Sequence, residues 1–199
     1  MGDSFGQALN SETNLVWRDA RDLVIEGRGW TDTKDFYDRL PARAESLVRQ
    51  NVWNLGHDSA GMCVRFVTDA TTISARWTLR KESLAMALCE PEVARLLAEL
   101  DPVVYVLDPL PNMTTETVAE RYEQFVRILR EAHPGTPIVM VENVEYTDGK
   151  FVEARRKRFA ASNAKLGEIH KHLTQAGQKK LFYVSAPNLL GKDGEATET

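Results

Sequence analysis

Three short apolar runs limit what this 199-residue chain can fold into: Val103-Val-Tyr-Val-Leu107, Pro137-Ile-Val-Met-Val-Glu142 and Leu181-Phe-Tyr-Val184. The first is short, β-branched and continuously apolar, so it reads as a buried parallel strand. The other two read as the strands that follow it. A helical pattern precedes each. Glu90-Pro91 opens the first helix, since proline is tolerated in a first turn and Glu90 and Glu92 are favourable there. Val93, Leu96, Leu97 and Leu100 then make one apolar face. Thr114 can cap a second helix, with Val118, Tyr122, Phe125, Val126 and Leu129 on its buried side and His133-Pro134-Gly135 at its end. A third spans about Phe151 to Ala176, with Gly177 as its stop signal. The order α-β-α-β-α-β demands a parallel sheet with right-handed crossovers.

Residues 13 to 84 follow a different period and look β-rich. Leu15-Val-Trp17, Leu23-Val-Ile25, Met62 to Val67 and Thr72 to Leu79 are strand candidates. In the last two, Val64, Phe66, Ile73, Ala75, Trp77 and Leu79 alternate with Arg65, Arg76 and Arg80, which predicts an inward apolar face. Asp69-Ala-Thr-Thr72 has hairpin chemistry, and Pro41 opens a short turn or helix ending near Val48. The change of period at Leu84 to Cys89 is abrupt and carries no linker composition. The tail from Lys192 to Thr199 is polar and expected to fray.

Composition narrows the function classes. Hydrophobic residues make up 43% and charged residues 27%, as in an ordinary globular protein. A net charge of −4 argues against nucleic acid or an anionic membrane as an obligatory partner, since either favours a basic surface. No signal peptide and no membrane-length apolar run is visible, which makes the cytoplasm the default compartment. Cys63 and Cys89 have neither metal-ligand spacing nor an obvious disulfide role. No metal and no cofactor is expected.

Candidate chemistry is sparse. Gly2-Asp3-Ser4 has a nucleophile's letters but no buried strand before it. His57-Asp58-Ser59 names three triad residue types in a row, yet adjacent residues on one loop cannot form a hydrogen-bonded line. It reads as the turn into the strand at Met62, eased by Gly61. His170 and His172 lie two apart on a helix and face different ways. Arg155-Arg-Lys-Arg158 spreads around a helix circumference and reads as a solvated face rather than an anion site. Asn112 is better placed. It follows the strand at 103–107 in a turn fixed by Pro109 and Pro111, and ligands of open α/β sheets sit beyond the carboxyl ends of such strands. Its amide could donate to a developing oxyanion. The alternative is a turn asparagine or the cap of the next helix.

Taken together, the segments resemble the SGNH-hydrolase (GDSL-type) esterases that carry an N-terminal β-sandwich module. The first half carries Asp22-Leu-Val-Ile-Glu-Gly-Arg-Gly-Trp30, Tyr37-Asp-Arg-Leu-Pro41, Val52-Trp-Asn-Leu55, Ser59-Ala-Gly-Met62, Arg65-Phe66 and Thr68-Asp69. The second carries Glu90-Pro-Glu-Val93, Asp101 to Asp108, Leu110-Pro-Asn-Met113, His133-Pro-Gly-Thr-Pro-Ile138 and Asp193-Gly194. The resemblance implies a β-rich module over residues 13–88 and, over 89–199, part of a three-layer, flavodoxin-like α/β hydrolase. It implies a serine esterase lineage acting on acylated carbohydrate or a small ester. Asn112 matches the family's third-block oxyanion asparagine. The family's Gly-x-Ser nucleophile turn and second-block glycine would be expected before the helix at Glu90, and they are missing at about Leu88/Cys89. The Asp-x-x-His block would be expected where the sequence reaches Thr199. The expectation is an internally deleted and C-terminally short family member without a complete catalytic set. Its alternatives are a retained non-catalytic glycan-binding or interaction module, with Trp17, Trp30, Trp53 and Trp77 as the binding or core aromatics, and an error in the gene sequence.

Overall fold

The computed structural model describes residues 15–78, 89–144, 149, 151–187 and 189. Gly2-Asp3-Ser4, Leu79, Arg80, Leu84 to Leu88, Asp193-Gly194 and the polar tail lie outside the described residues.

The second half forms as its pattern predicts. Helix α2 (Pro91–Leu97) starts on Pro91 with Glu90 at its N-cap position. Strand β3 (Tyr105–Leu107) follows. Helix α3 (Thr115–Ala132) is capped by Thr114, whose hydroxyl accepts from the Thr117 N–H, and it buries Val118, Tyr122, Phe125, Val126 and Leu129. Strand β4 (Ile138–Val141), helix α4 (Glu153–Gln175) and strand β5 (Leu181–Val184) complete the order. Gly177 takes φ +87°, the left-handed conformation that ends a helix cheaply only at glycine. The sheet runs β3-β4-β5, all parallel, with Tyr105 beside Ile138 and Ile138 beside Leu181.

That strand order moves in one direction. Right-handed crossovers therefore stack successive helices on a single face. The core records this: Tyr105, Leu107, Ile138 and Met140 pack with Val118, Tyr122, Phe125 and Leu129 of α3, Leu166 and Leu173 of α4, and Ala94 of α2. On the opposite face Val106 pairs in register with Val139, and Val139 with Phe182. There Val106 is 61% and Phe182 53% exposed. The described residues thus make two layers of a three-layer α/β fold, with β3 as a free edge.

Arg130 ties the amino end of this sheet together. Its Nη1 donates to the carbonyls of His133, Pro134 and Thr136 at 3.1, 3.1 and 2.6 Å, and its Nη2 to that of Lys180 at 3.3 Å.

The first half differs from its pattern. Among the described residues it holds one antiparallel pair, β1 (Val24–Glu26) with β2 (Cys63–Arg65). Residues 15–17 and 72–78 are neither strand nor helix. All three residues of β2 are exposed. Alternation produces an inward face only where a second layer exists to receive it, and among the described residues none covers Val64 or Phe66. Residues 50–56, which include the β-formers Val52 and Trp53, make helix α1 (Gln50–Gly56). A 3₁₀ turn at Ala42–Ser46 follows Pro41, as expected. Both pack on α2: Leu40, Ala44, Val52, Trp53 and Leu96 form one buried cluster. Arg49 reaches buried Glu90, and Glu99 accepts from Trp30 Nε1 at 3.3 Å and from Arg43.

Candidate functional site

The carboxyl ends of β3 and β4 open on one cleft of about 290 Å³, lined by Pro111, Asn143, Arg155, Arg158 and Phe159. Each wall has a local cause. Pro109 and Pro111 turn the chain after β3 into a 3₁₀ turn, Leu110–Asn112, whose Leu110 is buried and anchors it. Asn112 is the last residue of that turn and is partly exposed. The helix cap is Thr114, not Asn112. The Asn112 amide has no hydrogen-bond partner among the described residues. Capping therefore does not explain why an amide stands there.

Asn143 leaves β4 and is fixed from behind by α4. Its N–H donates to Asn163 Oδ1 at 2.8 Å, and Asn163 Nδ2 donates to its carbonyl at 2.9 Å. With its backbone satisfied, the side chain lines the cleft. Asn143 is 3% exposed, and its Oδ1 has no hydrogen-bond partner. The first turns of α4 supply the third wall. The basic run does spread around the helix, since Lys157 turns to Glu153 at 2.8 Å. Arg155 and Arg158, three apart, share the side that faces the cleft. Arg158 has no ion-pair partner among the described residues. All four residues of the run are exposed, as a solvated face requires, and Arg155 and Arg158 also line the cleft.

The remaining titratable candidates lie elsewhere. His133 sits at the end of α3, its ring Nε2 2.9 Å from the Ala98 carbonyl. The ring Nε2 of His170 lies 3.4 Å from the carbonyl of Leu181, the first residue of β5. His172 pairs with Glu123 on the surface at 3.0 Å. His133 and His170 reach the amino end of the sheet, His172 pairs with Glu123 halfway along α3, and none of the three lines the cleft. His57 pairs with Asp38 at 2.8 Å rather than with Asp58 or Ser59, so the three consecutive residue types make no triad. Asp35, Asp38 and His57 bring one possible ligand atom each within 4.8 Å of one another. Both Asp38 oxygens are engaged there, one at His57 Nδ1 and one accepting the Asp35 N–H at 2.9 Å, and the group reads as a brace for the loop before α1. Nothing in the sequence spacing announces it. Cys89 is buried behind Glu90 with φ +55°, and burial pushes its thiol up to about 12. Cys63 is an exposed free thiol. No described helix is long and apolar enough to cross a membrane.

The model of the GDSL-like lipase/acylhydrolase family matches residues 85–199, more than half the chain. The chain belongs to this family. A second model, for the N-terminus of SGNH-hydrolase-type esterases, matches residues 15–91. Among solved structures, a GDSL-like lipase from Bacteroides ovatus is 31% identical with TM-score 0.53, over 55% of this chain and 33% of its own. A salicylyl-acyltransferase from a tetracycline biosynthetic pathway is 22% identical with TM-score 0.44, over 53% of this chain and 32% of its own. No curated protein sequence matches. The chain therefore spans about a third of the length of the solved structures it resembles. Family membership and the α/β fold expected from the sequence both stand.

Proposed function

We propose that this chain is the oxyanion-donor half of an ester hydrolase and does not hydrolyse esters by itself. One observation carries the reading. Among the described residues, the mouth of the sheet holds an amide with no partner at Asn112 and no histidine to serve as base. Hydrolysis by a serine enzyme needs a nucleophile and a base in hydrogen-bond reach of each other. From Cys89 onward the only serines are Ser162 and Ser185. Ser162 is buried in α4 against Thr115 at 3.5 Å, and no glycine stands two residues before either. The free edge of β3 and the uncovered sheet face agree with a missing strand and helix at the start of the hydrolase sheet. In this reading residues 13–88 are the N-terminal β-sandwich-type module and 89–199 the hydrolase part, in a lineage acting on acylated carbohydrate or a small ester. Purified chain given p-nitrophenyl acetate should release nitrophenol no faster than buffer. Turnover that disappears in Ser59→Ala or Ser4→Ala would sink the proposal.

A binding role has its own support. Trp77 is 73% exposed and Trp17 is half-exposed with Arg76 stacked 4.5 Å from its ring, whereas Trp53 is core and Trp30 is half-buried. Exposed aromatic faces suit sugar rings. Glycan-array binding lost in Trp77→Ala would favour this reading, and an empty array would remove it.

A further inference from the structure

The cleft beside Asn112 has a chemistry of its own. A side-chain acceptor that is 97% buried and makes no hydrogen bond is costly unless something donates to it. Asn143 Oδ1 is held in that state by Asn163, which takes both backbone groups of Asn143 and fixes where the side chain points. Arg155 and Arg158, from the first two turns of a 23-residue helix, line the same cleft, and the backbone dipole at a helix start also favours negative charge. Phe159 and Pro111 supply an apolar floor and rim. A volume of about 290 Å³ lies near the low end for small-molecule sites.

We propose that this cleft binds a small oxyanion carrying a hydroxyl group, of the size and kind of a sugar acid or sugar phosphate. The hydroxyl donates to Asn143 Oδ1, the carboxylate or phosphate meets Arg158, and the carbon skeleton lies on Phe159. A neutral sugar satisfies only the asparagine, and a simple anion only Arg158, so the site selects for both groups on one molecule. That such a ligand is the acid or alcohol portion of an ester rests on the ester-hydrolase reading; its binding does not.

The test is a titration of the ¹⁵N-labelled full chain with D-glucuronate, glucose 6-phosphate and D-glucose, each followed by NMR. D-glucuronate or glucose 6-phosphate, whichever anion fits, shifts the Asn143 side-chain amide and the Arg158 Nε resonance saturably, with a Kd of about 1 mM or tighter. D-glucose binds at least about tenfold more weakly, the ratio one charge-assisted hydrogen bond gives. Arg158→Gln and Asn143→Asp each weaken the anion by about tenfold or more, while Lys171→Gln, a surface change near the far end of α4, does not. Because Asn143 is buried, circular dichroism first establishes that Asn143→Asp folds, and Arg158→Gln, at an exposed position, carries the test if it does not. Saturable shifts absent for both anions, equal shifts with glucose, or equal losses in Arg158→Gln and Lys171→Gln would each overturn the proposal. Nitrophenyl-ester turnover or its absence bears on none of these readings.

Discussion

Replacing Arg130 with methionine isolates the clamp at the amino end of the sheet. Methionine keeps the aliphatic packing and removes four donated contacts, to His133, Pro134, Thr136 and Lys180. Nη1 has two hydrogens for its three acceptors, so the four contacts count as about three effective bonds. Hydrogen bonds to charged groups contribute about 1.5–3 kcal/mol each. Against this stands the burial of the guanidinium, which holds its pKa below the usual arginine range and costs several kcal/mol in its own right. The freed carbonyls lie in loops and are partly rehydrated in the variant. The net expected loss is about 3 kcal/mol. Urea unfolding followed by far-ultraviolet circular dichroism reads it as a fall in midpoint of about 1.5 M for a slope of about 2 kcal/mol/M. Arg130→Lys keeps the charge but not the span, and falls between the two. An Arg130→Met unfolding free energy within about 0.5 kcal/mol of the wild type would show that the carbonyls find water as readily as arginine and that the clamp contributes geometry alone.

Other perturbations read other parts of the molecule. Ellman's reagent at about pH 8 should titrate Cys63 in the folded chain and Cys89 only after urea is added, because Cys89 is buried and Cys63 is not. The folded Cys89 thiol lies above its unfolded value, so its contribution to stability is whole below about pH 8.5 and is lost as pH rises toward about 12. Denaturation midpoints flat over that interval would refute the assignment. Gly27→Ala places a Cβ 2.0 Å from the Gly61 carbonyl oxygen at φ +79°. It should loosen the β1–β2 pair by about 1–3 kcal/mol, seen as faster amide exchange at Ile25 and Val64. Asn112→Ala should move the urea midpoint by less than about 0.5 kcal/mol, because the amide holds nothing in the fold; a larger shift would assign Asn112 a structural bond.

The second half was legible because each of its signals is local. Thr114 caps where a threonine before a periodic run should, and Gly177 stops α4 for the backbone reason that glycines stop helices. The five buried apolar residues of α3 are the five its spacing predicts, and Arg130 is buried beside them. The first half was less legible because its signals are conditional. The alternation from Met62 to Val67 means an inward face only if a layer lies beneath it, and sequence cannot say that one does. Val52 and Trp53 favour strands in isolation, yet their place between Leu40 and Leu96 makes them a helix face. At the site, Asn112 stood out through its prolines. Asn143 did not, although it stands two residues beyond the end of β4. A polar amide closing an apolar strand was the available signal. That Arg155 and Arg158 part from Lys157 follows from helix rotation, but which side faces the cleft depends on how α4 packs.

The one-directional winding of the sheet has a thermodynamic consequence. A face presenting Val106 and Phe182 to solvent in the native state has already exposed about half of what melting would uncover there. Unfolding therefore hydrates less new hydrocarbon than it would for a sheet covered on both sides. Its heat capacity increment should fall below the usual figure of about 12–15 cal/mol/K per residue. The stability curve is then shallow, changing little between cold and warm conditions, and calorimetry should record a broad, low transition in place of a sharp one.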